Sequence, residues 1–173
     1  NAEKASVEAL VKDSEEKYKS LVELTTDFIY QADSEGMLLF MNDAAYRRLE
    51  FTPGEMIGTH FSMPLHPDDK VQAMQKFQDM ITEGINVFDF GCRYVSKNGT
   101  IIHSLHNVRL LRDKKGRIAG IQGIARDISK RKDVEEQLNM HREHLAELVE
   151  ERTKELKHEI LERKKVASDL RER

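Results

Sequence analysis

From Ile124 to Arg173 the chain contains neither glycine nor proline, and this run constrains the fold more than any other feature. The segment GIARDISKRKDVEEQL, residues 123–138, begins with small and apolar residues in alternation, which is typical of a strand, and ends as a charged helix. No glycine or proline separates the two. We therefore expect a strand that passes directly into a long helix, with the joint at Asp127, Ile128 and Ser129.

The helix expected after Ser129 carries a heptad-like apolar pattern. Within each half of this segment, successive apolar positions are separated alternately by three and four residues. Near EERT, at residues 150–153, two steps of four follow each other. Such a four-residue insertion into the heptad pattern is a stutter. A solitary helix this charged is marginal in water, so we expect a partner helix. A parallel homodimeric coiled coil is favoured over packing on the chain's own domain. Its expected seam consists of Leu138, Leu145, Leu148, Leu156, Ile160 and Leu170.

Charge and composition exclude several classes of partner. Residues 128–173 hold 12 acidic and 12 basic side chains, so the net charge of -3 belongs to the preceding part of the 173-residue chain. The chain has no strongly basic segment that would indicate a surface for binding nucleic acid. No apolar run approaches the roughly 18 residues that span a bilayer, and no signal peptide is visible, so we expect no membrane contact. The single cysteine, Cys92, fits a reducing, cytoplasmic compartment. The chain begins without methionine and ends mid-pattern, so we expect a piece of a longer protein.

The middle of the chain has the pattern of two strands, a helical region and three further strands. FIYQAD and MLLFMN flank a glycine-bearing turn, and Asn42-Asp43 is placed to cap a short helix. The three later strands are separated by KNG and RDKKG, which favour hairpin turns. This order predicts an α+β fold with a five-stranded antiparallel sheet and helices on one face. We divide the chain into an amphipathic helix at 1–25, a domain at 26–128 and a linker helix at 129–173.

Two apolar surfaces are predicted to meet in this domain. A helix capped by Asp68 or Asp69 and stopped by Gly84 is expected to present a stripe, and the strand NVFDFGCRYV is expected to present one face by alternation. The predicted helix stripe is Val71, Met74, Phe77, Gln78 and Ile81, and the predicted strand face is Phe88, Phe90, Cys92 and Tyr94.

The combination of this element order with KNG, RDKKGRIAG and RDISKRK resembles the PAS domain family, over about residues 20–129. The last strand of that family typically closes on Asp-Ile-Thr followed by Glu-Arg-Lys. Here Ser129 replaces the threonine and keeps its hydroxyl, while Lys130 replaces the glutamate. The tail also looks like the helical linkers of bacterial or archaeal signalling proteins. The resemblance implies the strand order 2-1-5-4-3.

The resemblance implies a sensor module that responds to a ligand or a partner. A change in the sheet would pass through Asp127, Ile128 and Ser129 into the helix and on to an output domain in the same chain, such as a histidine kinase, a cyclase or a further PAS domain. The alternative is a structural dimerisation module that binds no small molecule. No phosphate loop, paired carboxylates or nucleophile elbow occurs, so we expect no catalysis by this segment.

If a small ligand enters the domain, an apolar wall with a few polar contacts is expected. A plain core is the simpler interpretation of the same wall. The expected apolar residues are Phe28, Phe77, Phe90, Leu105 and Ile121, and the expected polar contacts are Arg93, His103 and Asn107.

No cofactor or metal is predicted, and haem and flavin are the less favoured alternatives. Flavin-binding relatives carry their active cysteine in the helical middle of the domain, whereas Cys92 lies in a strand and is expected to be a small buried residue. Haem-binding relatives usually use a histidine of the long middle helix, and that helix contains none here. His103 and His106 point to opposite faces of one strand and cannot share a metal ion.

Overall fold

The structure is a computed structural model that describes the backbone of residues 2–171 and the side chains of residues 12–14, 16–165 and 167. It contains two compact units, Asn1–Ser129 and Lys130–Arg173. The elements in chain order are α1 (Ala2–Leu24), β1 (Phe28–Asp33), β2 (Leu38–Met41), α2 (Asp43–Leu49), α3 (Pro53–Met56), α4 (Pro67–Glu83), β3 (Val87–Val95), β4 (Ile101–Arg112), β5 (Ile118–Asp127) and α5 (Ser129–Arg171).

The first unit contains the antiparallel sheet, and its strand order is β2-β1-β5-β4-β3, which confirms the predicted fold. One side of the sheet faces a single core, which α2, α3 and α4 complete with Leu49, Met56, Ala73 and Met80. The three strands β1, β5 and β4 lie at the centre of the sheet, so their inward residues form the floor of that core.

Asn42 joins four segments of the first unit through one buried side chain. It is the N-cap of α2, and its Oδ1 accepts hydrogen bonds from the backbone of Ala45 and of Ile29 in β1. Its Nδ2 donates to the carbonyl oxygens of Val22 at the end of α1 and of Asp27. The amide therefore makes its full complement of bonds, and it fixes the end of α1 against the sheet.

Helix α4 begins two or three residues earlier than predicted and buries a partly different stripe. His66 is its N-cap, Pro67 follows at the first helical position, and Gly84 in the left-handed region ends it as predicted. Ala73 and Met80 are the buried positions, whereas Val71 is 79% exposed. The predicted stripe was therefore wrong at Val71 and Met74, whereas Phe77 and Ile81 pack against the core as predicted.

Strand β3 contains a bulge that the alternation did not reveal. Val87 pairs with Val108 and Phe90 with His106, so β3 holds one residue more than β4 across this step. Asp89 has a φ of 52°, and its backbone N–H donates to Oδ1 of Asn107. The predicted face was wrong for Phe88, which the bulge turns outward to 59% exposure.

The second unit consists of α5 after its first residue. Leu138, Leu145, Leu148, Leu156 and Ile160 are between 44% and 59% exposed, and the side chain of Leu170 lies outside the described residues. The charged flanks pair along the helix, as in Arg131–Glu135, Lys154–Glu150 and Arg163–Glu159. Among the described residues of the whole chain, no helix combines the length and apolar character that crossing a bilayer requires.

Candidate functional site: a core cavity beside the β5–α5 joint

A cavity of about 50 Å³ lies between α4 and the inward face of the sheet. A water molecule needs about 10–15 Å³ by the same measure, so the cavity has room for several waters or one small organic molecule. It is much smaller than the roughly 300–1,000 Å³ of a drug-sized pocket. It is lined by Tyr30, Leu38, Met41, Phe61, Pro64, Leu65, Ala73, Lys76, Phe77, Met80, Val87, Phe90, Cys92, Tyr94, His106, Val108 and Ile121.

Four side chains from three strands form a polar cluster at this apolar cavity, and three of them line it. The hydroxyl of Tyr30 is 3.1 Å from Nδ1 of His106, whose Nε2 is 2.8 Å from Oγ of Ser104 and 3.1 Å from Sγ of Cys92. Ser104 also donates to the backbone oxygen of Cys92 at 2.8 Å. We call Tyr30, Cys92, Ser104 and His106 the polar corner. Every member is buried.

The short contacts assign the tautomer of His106. The only hydroxyl hydrogen of Ser104 is used on the carbonyl of Cys92, so the contact between Ser104 and His106 needs a hydrogen on Nε2. Nδ1 is then free to accept the hydrogen of Tyr30. Burial lowers the pKa of His106 to about 4 and raises the pKa of Cys92 to about 12. The polar corner is consequently uncharged at neutral pH.

Gly123 provides the space that the Tyr30 ring occupies. The two residues are direct partners across β1 and β5, and a Cβ at position 123 would overlap the ring and hydroxyl of Tyr30. The ring crosses β5 at this glycine and reaches His106 on β4. Because Gly123 has no side chain, the Tyr30 ring can lie across β5 and place its hydroxyl beside His106.

Three of the eight residues expected around a ligand line the cavity. Phe77 approaches it from α4, Phe90 from β3 and Ile121 from β5. Phe28 is buried in the adjoining core, where its ring centroid lies 5.8 Å from that of Tyr94, and it does not reach the cavity.

His103, Leu105 and Asn107 lie on the opposite face of β4 from the cavity. The inward residues of this strand are the buried Ile102, Ser104, His106 and Val108, so its phase differs by one residue from the phase we expected. The placement of these three residues in the ligand pocket is thereby corrected. The sequence of this strand, TIIHSLHNVRLL, gave little indication of which face is buried, because apolar residues occur at both odd and even positions.

Arg93 joins β3 to the start of α4 and does not line the cavity. Its Nη2 and Nε contact the carboxylate of Asp69 at 2.6 and 3.0 Å, and its backbone N–H donates to the same carboxylate at 2.7 Å. The side-chain hydrogen bond from Arg93 lowers the pKa of Asp69. This residue was expected to contact a ligand, and the structure gives it a role in fixing α4 instead.

Asp127, Ile128 and Ser129, the residues of the joint, each take part in hydrogen bonds that hold the joint to the rest of the domain. The backbone N–H of Ile128 donates to the carbonyl of His103 at 2.8 Å, and the backbone N–H of His103 donates to Oγ of Ser129 at 2.9 Å. Asp127 accepts from the backbone N–H of Ser129 and from Nε of Arg48 on α2, each at 2.8 Å. Burial opposes ionisation, but the hydrogen bonds from Ser129 and Arg48 keep the pKa of Asp127 lowered.

The cavity and the joint meet at two adjacent residues of β4. Ser104 points inward and bonds to His106, which lines the cavity. His103 is the next residue, and its backbone holds Ile128 and Ser129. The polar corner and the joint are therefore connected through consecutive residues of β4.

Sequence reasoning missed Tyr30, Ser104 and His106 as members of one site. Their inward phase became visible only through pairing, since Tyr30 faces Gly123 and Ser104 faces Asp127. A glycine in the middle of a strand was the available signal, because such a glycine often marks a close approach by another group.

A family model described as the PAS fold matches residues 16–128, which is more than half of the chain. Curated relatives include sporulation kinase C of Bacillus subtilis, 28% identical over 83% of this chain and 35% of that protein. They also include a probable diguanylate cyclase, DgcE, of Escherichia coli, 27% identical over 61% of this chain and 10% of that protein. The chain thus spans only a minor part of the curated relatives it matches.

Solved structures show the same fold. The PAS domain of a protein from Colwellia psychrerythraea matches with a TM-score of 0.59 and 19% identity, covering 66% of this chain and 97% of that one. The PAS domain of an HTR-like protein from Haloarcula marismortui matches with a TM-score of 0.59 and 16% identity, covering 72% and 99%. The family model, the strand order and these structures agree, and the chain belongs to the PAS fold family.

Proposed function

We propose that this chain is the sensory and relay module of a multidomain signalling protein. A small molecule or a protein partner shifts the core around the cavity, and the shift passes through the joint into α5. The helix, paired with the same helix of a second copy, carries it to an output domain in the same chain. The observation that supports this proposal most strongly is the adjacency of Ser104 in the polar corner and His103 in the joint.

The relatives support the nature of the output. Sporulation kinase C, the sensor histidine kinase TmoS of Ectopseudomonas mendocina and the probable cyclase DgcE are all longer proteins with a region similar to this chain. The similarity spans 14% of TmoS and 10% of DgcE, so their catalytic functions reside largely in other segments. A kinase or a nucleotide cyclase is therefore the output class that we propose for the parent protein.

The proposed homodimer rests on the exposed apolar seam of α5. At about 100° per residue, Leu138, Leu145, Leu148, Leu156 and Ile160 fall within about 120° of the helix circumference. Arg152 and Glu159 fall within the same arc, and each pairs with an opposite charge of its own helix, Glu155 and Arg163. A second copy supplies the identical strip in register, which is the arrangement of a parallel coiled coil.

The relay is tested in the full-length protein with an artificial input. Replacing Ala73 with Leu fills the cavity from α4 and is expected to shift output activity. A Gly-Ser insertion after Ser129 should remove that shift, because it disconnects α5 from the residues held by His103. The same insertion after Lys114, in the exposed turn between β4 and β5, is the matched control and should leave the shift intact. A shift that survives the insertion after Ser129 contradicts the relay.

A further inference from the structure

Helix α5 carries three histidines, and two of them lie in or beside the proposed seam. At about 100° per residue, His141 falls between Leu138 and Leu148 on the helix circumference, inside the arc of the seam. His144 lies about 40° beyond Leu148, at the edge of the arc, and His158 lies on the far side of the helix. A polar residue at a seam position lowers the stability of a coiled coil, so the placement of His141 requires an explanation.

One hydrogen bond fixes the tautomer and the orientation of His141. Its Nδ1 lies 2.8 Å from the carbonyl oxygen of Gln137, one turn earlier in the helix. A carbonyl oxygen only accepts, so Nδ1 carries the hydrogen, and Nε2 of the neutral ring keeps a free lone pair. Histidines that bind metals commonly donate their second ring nitrogen to a backbone carbonyl in this way. The ring of His141 is therefore arranged to bind a metal ion through Nε2.

His144 is the neighbour of His141 on the same helix. Residues three apart have Cβ atoms about 5–6 Å apart, and helical side chains point toward the N-terminus, so the His144 ring extends toward the level of His141. Within one copy, the residues that the structure describes contain no group of three or more histidine, cysteine, aspartate or glutamate side chains that could hold a metal ion. A metal site built on this pair is therefore incomplete in a single chain.

A second copy of α5, paired in parallel and in register, supplies the missing ligands. Identical seam positions face each other in a parallel coiled coil, so the two copies of His141 meet across the interface. With His144 from each helix, four imidazoles come together in one layer. Four nitrogen ligands suit the tetrahedral coordination of Zn²⁺. Leu138 and Leu145 form the neighbouring layers of the seam and would shield the ion from water.

We propose that the paired α5 helices bind one Zn²⁺ ion through Nε2 of His141 and a ring nitrogen of His144 from each copy. This inference rests on the homodimer of the proposed function and adds a metal ion as an input to it. The sequence patterns of the chain indicated no metal, because the site forms only on pairing. The ion would hold together the half of the seam that precedes the stutter at residues 150–153.

Zinc binding and dimer formation are measured together on the 173-residue chain at pH 7.5. Calorimetric titration with Zn²⁺ gives the affinity and stoichiometry, and sedimentation equilibrium gives the oligomeric state. We expect one tightly bound ion per two chains. At a free zinc concentration 100 times the Kd, the association constant of the dimer should rise about 100-fold, because only the dimer holds the complete site.

Three single variants locate the ligands. His141→Leu removes a ligand but keeps the seam apolar, so it should abolish this binding while the dimer persists. His144→Leu should weaken binding and retain the dimer. His158→Leu is the matched control, because its ring is exposed on the far side of α5, and it should bind zinc like the unmodified chain.

Unchanged zinc binding in His141→Leu, a stoichiometry of one tightly bound ion per chain, or an equal loss of binding in His158→Leu overturns the site. A dimer that binds no zinc also overturns the site and leaves the homodimer of the proposed function intact. A chain that stays monomeric with and without zinc contradicts that homodimer and the site with it.

Discussion

The ring of Tyr30 lies across Gly123, its partner in β5, and fills the space that any side chain at position 123 would need. Through this contact a residue of β1 reaches His106 in β4, two strands away. The polar corner of the cavity therefore depends on a residue that has no side chain.

Replacing Gly123 with Ala should lower the free energy of unfolding by about 1–3 kcal/mol, because the new methyl group displaces the Tyr30 ring. In a Tyr30→Ala background the same substitution should cost much less. Urea denaturation of the four proteins in this double-mutant cycle measures the coupling. Gly91→Ala is the control, since a Cβ there meets no atom within 4 Å. Additive effects of the two substitutions would show that ring and glycine are independent.

Replacing Asn42 with Ala should destabilise the first unit by about 2–4 kcal/mol, because it removes an N-cap and leaves buried backbone groups of β1 and α1 without partners. Asn107→Ala is the matched control. That amide is exposed and accepts one bond from Asp89, so its loss should cost about 0.5–1 kcal/mol. Chemical denaturation compares the two variants. Equal losses would contradict the role of Asn42 in joining α1 to the sheet.

His106 should make stability fall between pH 6.5 and pH 4. In the unfolded chain this histidine binds a proton near pH 6.5, whereas burial lowers its pKa in the folded chain to about 4. The unfolded state therefore holds more protons in this window. The contribution of neutral His106 to the free energy of unfolding is complete above pH 6.5 and decreases by about 3 kcal/mol as the pH falls to 4.

Urea denaturation across this range should show the decrease in the unmodified chain and a smaller decrease in His106→Gln. His158→Gln, at an exposed position of α5, is the control and should retain the full decrease. Acidic groups such as Asp69 contribute at lower pH in all three proteins, so the difference between the curves isolates His106. Identical curves for the unmodified chain and His106→Gln would contradict a neutral buried imidazole.

The coiled coil is tested by paired substitutions on α5. Replacing Leu145 and Leu156 with Asp should convert a dimer to a monomer in sedimentation equilibrium, while the sheet domain stays folded by near-UV circular dichroism. Met140→Asp with Leu161→Asp is the matched control, because both residues are similarly exposed but lie on the other side of the helix. A dimer that persists in the first variant, or is lost equally in the control, would place the interface elsewhere.

Much of the first unit was predictable from local patterns. The hairpin glycines, the Asn42 cap, the Gly84 stop and the direct passage from β5 into α5 each follow from short sequence signals. The residues that line the cavity were harder to predict from the sequence, because they depend on which face of β4 turns inward. Apolar residues stand at both phases of that strand, so only its pairing with β5 places His106 inside and His103 at the joint.

The predicted buried faces of α4 and β3 differed from the observed ones for related reasons. Val71 and Met74 fit an apolar stripe by spacing, but the N-cap at His66 and the Arg93–Asp69 contact orient the helix toward Ala73 and Met80. In β3, the left-handed conformation of Asp89 shifts the alternation by one residue. Long-range contacts determined both outcomes, and they leave no trace in local periodicity.

The most direct test of the relay is amide hydrogen exchange at Ile128, whose N–H binds the carbonyl of His103. The exchange rate is compared between the unmodified chain and Ala73→Leu, with Val87→Ile as a second cavity-filling variant. The amide of Asp113, bonded to Arg117 in the distant β4–β5 turn, is the internal reference. We expect the Ile128 rate to change at least about threefold relative to Asp113, because a local shift in β4 alters the opening of this bond. An unchanged Ile128 rate, in folded variants whose His106 signals do shift, would contradict the coupling of the cavity to α5.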